Sequence, residues 1–253
     1  MRILIDAGHY TSYNQSPVFK SYKEGNMTWS LYKLLRAELE AKGYHVDGTR
    51  ANQSKDIEVY QRGMCAVGYD LFLSLHSNAC GSPGVRRVVV IPPVKGNAEC
   101  YEMANALGKK VSEVMGIRET YQIYPRPFTD LQGKTRDYYG VVRGAVDAGC
   151  PRIMIIEHSF HTNEESARWL YKQDNLAALA KAEAEVIAEL MPADEKKTEG
   201  PVYRIDEKYT IKANDHYSNG KLVPSSIVGK TFTISRILEG RILLSEINSW
   251  VTV

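Results

Sequence analysis

Histidine and glutamate side chains stand at four positions where they could do chemistry: His9, Glu24, His76 and Glu157. His9, His76 and Glu157 each follow a short apolar run that is typical of a buried strand, and Glu24 precedes a helical pattern. Two imidazoles and a carboxylate suit a catalytic zinc ion, which takes three protein ligands and keeps a fourth position for water. Each residue alone has a commoner explanation, as a hydrogen-bonded histidine or as a glutamate favoured by a helix N-terminus. Three candidates at three separate strand ends are harder to attribute to chance.

The elements that must position these residues alternate between strand and helix. Buried strands are predicted at 2–6, 44–49, 70–75, 85–91 and 152–156, and helices at 26–42, 56–67, 98–115 and 175–190. This alternation predicts an α/β domain with a largely parallel sheet flanked by helices on both faces. In such sheets, sites form beyond the carboxyl ends of the strands, where the candidate residues fall.

A change in composition near residue 192 predicts a second, smaller domain. Residues 192–200 are polar and bounded by prolines, as in a linker. Residues 201–253 contain short β-like runs separated by the turn signals Asn219-Gly220 and Glu239-Gly240. We therefore expect a catalytic domain at 1–191, a linker at 192–200 and a small β-rich domain at 201–253.

Net charge and apolar runs exclude several classes of partner. The chain has 32 basic and 30 acidic residues, a net charge of +2, which argues against nucleic-acid binding. The apolar run at the N-terminus is shorter than a secretory signal needs, and no run approaches the roughly 20 apolar residues of a membrane span. We expect synthesis in the cytoplasm without a signal peptide, no membrane insertion, and a separate route of release if the substrate lies outside. The four cysteines form no CxxC pair and are typical of reduced thiols.

Several motifs, in order along the chain, resemble one family. The run 70–79, Asp-Leu-Phe-Leu-Ser-Leu-His-Ser-Asn-Ala, is the most specific of them. The others are Ile5-Asp6-Ala7-Gly8-His9, Glu24, the strand at 43–46 with Thr49-Arg50, Arg62, and the run 155–163 around Glu157. Together they make residues 1–190 similar to the zinc-dependent N-acetylmuramoyl-L-alanine amidases of bacterial autolysins and phage endolysins.

The resemblance implies a function and a role for each residue. His9, Glu24 and His76 would bind one zinc ion, and Glu157 would be the catalytic carboxylate. The reaction would be metal-assisted hydrolysis of the amide between N-acetylmuramic acid and L-alanine in bacterial peptidoglycan. Such a chain would lyse the cell wall after release, as a phage or prophage endolysin. Asn78 is a candidate substrate contact, as are Tyr10 and the stretch 121–128.

The sequence departs from the family pattern at a few positions. Ala7 replaces the usual proline, and Tyr10 stands where glycine is common. His158 and His161 add imidazoles beside Glu157. Each of the two is a candidate substrate contact or rival metal ligand, but a hydrogen bond to the backbone at a strand end is the preferred interpretation.

Two other functions remain open at this point. A zinc peptidase acting on peptidoglycan stem peptides would share the metal site, and analysis of the digestion products would separate it from an amidase. A non-catalytic wall-binding protein would have lost part of the site, which the intact set of His9, Glu24, His76 and Glu157 opposes.

The C-terminal segment carries a weaker resemblance. Residues 202–253 resemble the small SH3-like barrels appended to wall hydrolases, and Ser249-Trp250-Val251 is similar to the end of such modules. The resemblance implies wall binding, which would raise the local concentration of the enzyme at its substrate. The alternative is a β-module for oligomer contact or stability.

Overall fold

The computed structural model describes residues 1–119, 121–193, 206–238 and 241–252, and of residues 237 and 238 only the backbone. The chain divides into two compact units, Met1–Glu195 and Lys196–Val253. Residues 194–200 of the predicted linker lie outside the described residues, and so does the Glu239-Gly240 turn signal.

The first unit contains eight strands and six α-helices within the described residues. The strands are β1 (Arg2–Ala7), β2 (His45–Gly48), β3 (Leu71–Asn78), β4 (Val89–Ile91), β5 (Gln122–Ile123), β6 (Pro127–Thr129), β7 (Thr135–Asp137) and β8 (Ile153–Phe160). The helices are α1 (Glu24–Ala41), α2 (Val59–Met64), α3 (Ala98–Val114), α4 (Gly140–Asp147), α5 (Glu164–Tyr171) and α6 (Gln173–Leu190).

The main sheet is largely parallel, as the alternation of strands and helices predicts. Its order is β2-β1-β3-β8-β4-β5, and only β4 and β8 pair antiparallel. Strands β6 and β7 form a separate antiparallel hairpin. Because β1, β3 and β8 are parallel neighbours, their carboxyl ends lie at one edge of the sheet.

Helices cover both faces of this sheet, and the strands are apolar on both sides for that reason. In β3, Leu71, Leu73 and Leu75 join one core with residues of α1, α3 and α6, while Phe72 joins the other core with residues of α4. Helices α2 and α4 approach closely at two glycines. A Cβ on Gly144 would lie 2.1 Å from the Tyr60 carbonyl oxygen, so no larger residue fits there.

The second unit is a small antiparallel sheet in its described part. The strands are β9 (Lys208–Thr210), β10 (His216–Tyr217), β11 (Thr231–Leu238), β12 (Arg241–Leu244) and β13 (Ser249–Thr252), in the order β10-β13-β12-β11-β9. A core of buried apolar side chains holds it together: Tyr209, Ile211, Val223, Phe232, Ile234, Ile242, Leu244 and Val251. None of the described helices, in either unit, is long and apolar enough to cross a membrane.

Candidate metal-binding site and buried carboxylate

Three predicted ligands meet at the carboxyl edge of the main sheet. His9 follows β1, His76 lies near the end of β3, and Glu24 begins α1, two residues before the predicted helix start. The Nε2 atom of His9 lies 3.1 Å from Glu24 Oε2, and His76 Nδ1 lies 3.0 Å from Glu24 Oε1. One potential ligand atom from each of the three residues lies within 4.8 Å of the others.

The backbone around His9 is shaped for this close approach. His9 itself has a φ of 59°, in the left-handed region that non-glycine residues seldom adopt. The Gly8 N–H donates to the Leu75 carbonyl at 3.0 Å, which joins the ends of β1 and β3. A Cβ on Gly8 would lie 2.3 Å from the His76 ring, so glycine leaves the space that the imidazole occupies.

A buried polar network supports the end of β1 just before His9. Asp6 is buried and accepts hydrogen bonds from the hydroxyls of Thr49 and Ser74, at 2.7 and 2.8 Å. Arg50 donates from Nη2 to the Ala7 carbonyl at 2.8 Å. These contacts fix the backbone from which His9 projects. They explain why the residues of the Asp6-Ala7 and Thr49-Arg50 motifs occur together.

Glu24 is the buried centre of the cluster. Only 1% of its side chain is exposed, and it accepts hydrogen bonds from the Asn14 amide and from the Ser77 N–H, the latter at 2.8 Å. Burial alone would raise the pKa of Glu24, but hydrogen bonds from His76 and His9 outweigh it and hold the pKa well below its ordinary value. Burial would lower the pKa of His76, and the contact with Glu24 instead raises it to about 9. Two imidazoles thus share one ionised carboxylate.

Glu157 on β8 is the predicted catalytic residue, and its Cα is paired with that of His76 in the sheet register. It is 8% exposed, and its Oε2 atom has no hydrogen-bond partner within the described part of the chain. Burial raises the pKa of Glu157 to about 7, with His76 opposing the rise and Glu24 adding to it. A carboxyl group that titrates near neutral pH can both accept and return a proton.

The predicted site residues line one open pocket of ≈ 520 Å³, which includes His9, Glu24, His76, Asn78 and Glu157. The Asn78 side chain is half-buried, and its Oδ1 accepts from the Ala79 N–H at 2.8 Å. The stretch 138–141 also lines this pocket, although no pattern in the sequence predicted it. The other predicted substrate contacts, Tyr10 and 121–128, are not among the lining residues.

His158 and His161 both hydrogen-bond the backbone of β3, and His161 Nδ1 also lies 3.9 Å from Glu24 Oε2. His158 donates from Nδ1 to the His76 carbonyl at 2.9 Å, and His161 donates from Nδ1 to the Ser77 carbonyl at 3.0 Å. The second nitrogen of His158 lies 2.6 Å from Glu183 on α6. Both imidazoles therefore make the backbone hydrogen bonds that the sequence favours for them.

The fold and this cluster together define an α/β domain of one class. It holds a His–Glu–His donor set and a buried carboxylate in a single cleft at the edge of the sheet. The sequence profile of the N-acetylmuramoyl-L-alanine amidase family matches residues 3–189. The chain belongs to this family and has the peptidoglycan amidase activity that defines it. Among curated proteins, no sequence matches the chain.

Solved structures of similar fold include amidases from two bacteria. The CwlD amidase from Clostridioides difficile, in complex with the GerS lipoprotein, superposes with a TM-score of 0.64 at 19% identity, over 76% of this chain and 99% of that one. The catalytic domain of CwlV, the amidase from Bacillus (Paenibacillus) polymyxa var. colistinus, gives 0.62 at 19% identity, over 76% and 99%. At this identity the likeness concerns the fold.

Proposed function

We propose that this chain hydrolyses the amide between N-acetylmuramic acid and L-alanine with one zinc ion held by His9, Glu24 and His76. The observation that carries the proposal is the meeting of these three donors within 4.8 Å, in the same pocket as Glu157. Membership of the N-acetylmuramoyl-L-alanine amidase family supports this choice of substrate.

The donor set fits zinc on chemical grounds. Two imidazole nitrogens and one carboxylate oxygen are ligands that zinc takes in catalytic sites. Glu24 carries a negative charge that partly neutralises a divalent cation. Metal binding requires deprotonated ligands, so the cation would replace the protons that Glu24 now shares with the two imidazoles. When bound there, zinc supplies Lewis-acid chemistry, lowering the pKa of a water molecule and polarising the amide carbonyl.

Glu157 moves the proton that the reaction requires. Its carboxylate accepts a proton from the attacking water as the water oxygen bonds to the carbonyl carbon. The same proton passes to the amide nitrogen as the C–N bond breaks, giving a free amine on L-alanine and a carboxylic acid on the lactyl group, which then loses its remaining proton to solvent. Burial of Glu157, with an Oε2 that has no hydrogen-bond partner among the described residues, leaves the carboxyl available for this transfer. Asn78, on the same pocket wall, is the proposed polar contact for the substrate.

The zinc site has a direct test with a matched control. The purified chain should contain one zinc per molecule by elemental analysis, and a His9→Ala variant should lose both the metal and wall lysis. His45→Ala is the control, because His45 is an exposed histidine that pairs with Asp47 outside the cluster. Full zinc content and lysis in the His9→Ala variant would overturn the assignment.

We also propose that the second unit is an SH3-like wall-binding module and that the protein acts as a phage or prophage endolysin on the cell wall. Support for the module comes from its small antiparallel sheet around a single apolar core, together with the Ser249-Trp250-Val251 ending. A fusion of residues 201–253 to a fluorescent protein should sediment with purified walls. A fusion that stays in the supernatant would contradict wall binding by this unit.

A further inference from the structure

A fully buried pair, His158 and Glu183, lies beside the three proposed metal ligands and has no part in the proposed reaction. His158 follows Glu157 on β8, and Glu183 lies on α6. Both side chains have no exposed surface, and His158 Nε2 lies 2.6 Å from Glu183 Oε1. Charged residues are seldom buried completely, so the pair needs a reason for its presence.

The other nitrogen of His158 points to that reason. His158 Nδ1 lies 2.9 Å from the backbone carbonyl oxygen of His76, one of the three proposed zinc ligands. A carbonyl oxygen only accepts hydrogen bonds, so Nδ1 must carry the proton. Glu183, on the opposite side of the ring, fixes the imidazole in the orientation that makes this donation.

The sheet is irregular at this point. The pairing of β3 with β8 runs in register up to His76 and Glu157, then shifts so that Asn78 pairs with Phe160. Ser159, next to His158, has a φ of 66°, in the left-handed region. The ladder that would normally hold the His76 backbone is therefore interrupted where the ligand has to be held, and the His158 side chain supplies a hydrogen bond there.

Stability alone explains the pair poorly. Glu183 Oε2 is buried with no hydrogen-bond partner in the described part of the chain. A buried ion pair that leaves an oxygen unsatisfied gains little over well-packed apolar residues of similar size. Groups that orient metal ligands, by contrast, are commonly retained because they tune metal affinity.

We propose that the His158–Glu183 pair positions His76 for the metal ion by holding the His76 backbone from the α6 side of the sheet. The pair acts through His76 and touches neither the substrate nor the reacting atoms. This inference rests on the proposed function, because it needs a metal ion at His9, Glu24 and His76.

The test compares zinc affinity among four full-length chains, measured by competition with a chromogenic chelator. The double variant His158→Leu with Glu183→Leu removes both charges together, so no unpaired charge stays buried and the fold should survive. It should bind zinc about 10- to 100-fold more weakly than the parent. Glu183→Gln should keep near-parent affinity, because a neutral His158 still donates from Nδ1. Leu39→Ala is the control, a fully buried core residue near the far end of α1, whose truncation lowers stability while the pair is kept.

The outcomes separate this inference from the proposed function. Zinc affinity that falls in the double variant and stays near the parent value in Leu39→Ala supports a positioning role. Parent-like zinc affinity in the folded double variant overturns that role and leaves the proposed function intact. A parent chain that binds no zinc overturns both. If the double variant does not fold, the ring ¹⁵N spectrum of His158 in the parent decides, because an unprotonated Nδ1 refutes the hydrogen bond to His76.

Discussion

Replacing Glu157 with glutamine should nearly abolish hydrolysis and yet stabilise the metal-free protein at alkaline pH. Glutamine matches the glutamate in size, so packing and zinc content should be retained. It cannot accept the proton of the attacking water, and the loss of a general acid–base group lowers rates by about 100- to 10,000-fold. That range corresponds to about 3–5 kcal/mol of transition-state stabilisation.

The gain in stability follows from the burial of Glu157. Its pKa rises from an ordinary 4.5 to about 7 in the folded protein, so folding is favoured when this carboxyl is protonated. Below about pH 4.5 the full contribution is present, and it is lost as pH rises through about 7. At 1.36 kcal/mol per pH unit, ionisation of Glu157 lowers the free energy of unfolding by about 3 kcal/mol between about pH 4.5 and pH 8. Glutamine carries no charge, so the free energy of unfolding of the variant should exceed that of the parent by about 3 kcal/mol at pH 8. At pH 4 the two unfolding free energies should be equal.

Urea unfolding of the metal-free proteins at the two pH values, with wall lysis and zinc content of the same preparations, measures all three effects. Glu185→Gln serves as the control, because Glu185 is an exposed glutamate on α6 whose replacement should change stability by no more than about 0.5 kcal/mol. A Glu157→Gln variant that is less stable at pH 8 and lyses walls normally would show that Glu157 is structural and would refute the reasoning.

Three further changes test other parts of the account. Gly8→Ala should weaken zinc binding, measured by chelator competition, because the added Cβ meets the His76 ring. Gly81→Ala is the control, since a Cβ there has no neighbour within 4 Å and zinc affinity should not change. Equal zinc affinities in the two variants would contradict the close packing of Gly8 against His76. Asn78→Ala should raise KM more than it lowers kcat on soluble wall fragments, and an unchanged KM would remove Asn78 from the substrate contacts. Deleting 201–253 should leave a cooperatively melting domain that still cleaves a small soluble fragment, whereas an aggregated product would contradict the two-domain organisation.

Sequence reasoning reached the strand-end residues because their signals are local. A buried apolar run followed by a histidine or glutamate predicts the end of a parallel strand, and His9, His76 and Glu157 each have that pattern. The predicted ends at 75 and 156 are too early, because β3 continues to Asn78 and β8 to Phe160. Glu24 has a weaker signal, and the family motif was needed to select it. The exact start of α1 was missed by two residues, because tertiary hydrogen bonds, such as Glu24 N–H to the Asn14 carbonyl, fix the first turn.

The opposite wall of the pocket had no comparable signal. Helix α4 contains two glycines in eight residues, which lowers its helix propensity, and its close packing against α2 depends on Gly144. The hairpin of β6 and β7 lacks the apolar alternation of a half-buried strand. The partnership of His158 with Glu183 joins residues 25 positions apart on different elements, which a single sequence does not reveal. These features depend on tertiary packing more than on local pattern.

The most direct test of the central claim is the identity of the bond that is cut. Purified peptidoglycan is digested with the zinc-loaded chain, with the chelated chain and with the Glu157→Gln variant, and the new termini are identified by amine labelling and mass spectrometry. We expect the zinc-loaded chain alone to release intact stem peptides that begin with a free L-alanine amine, and to leave glycan strands with free lactyl carboxylates. New amines at residues inside the stem peptide, or equal release by the chelated chain, would contradict a zinc-dependent amidase.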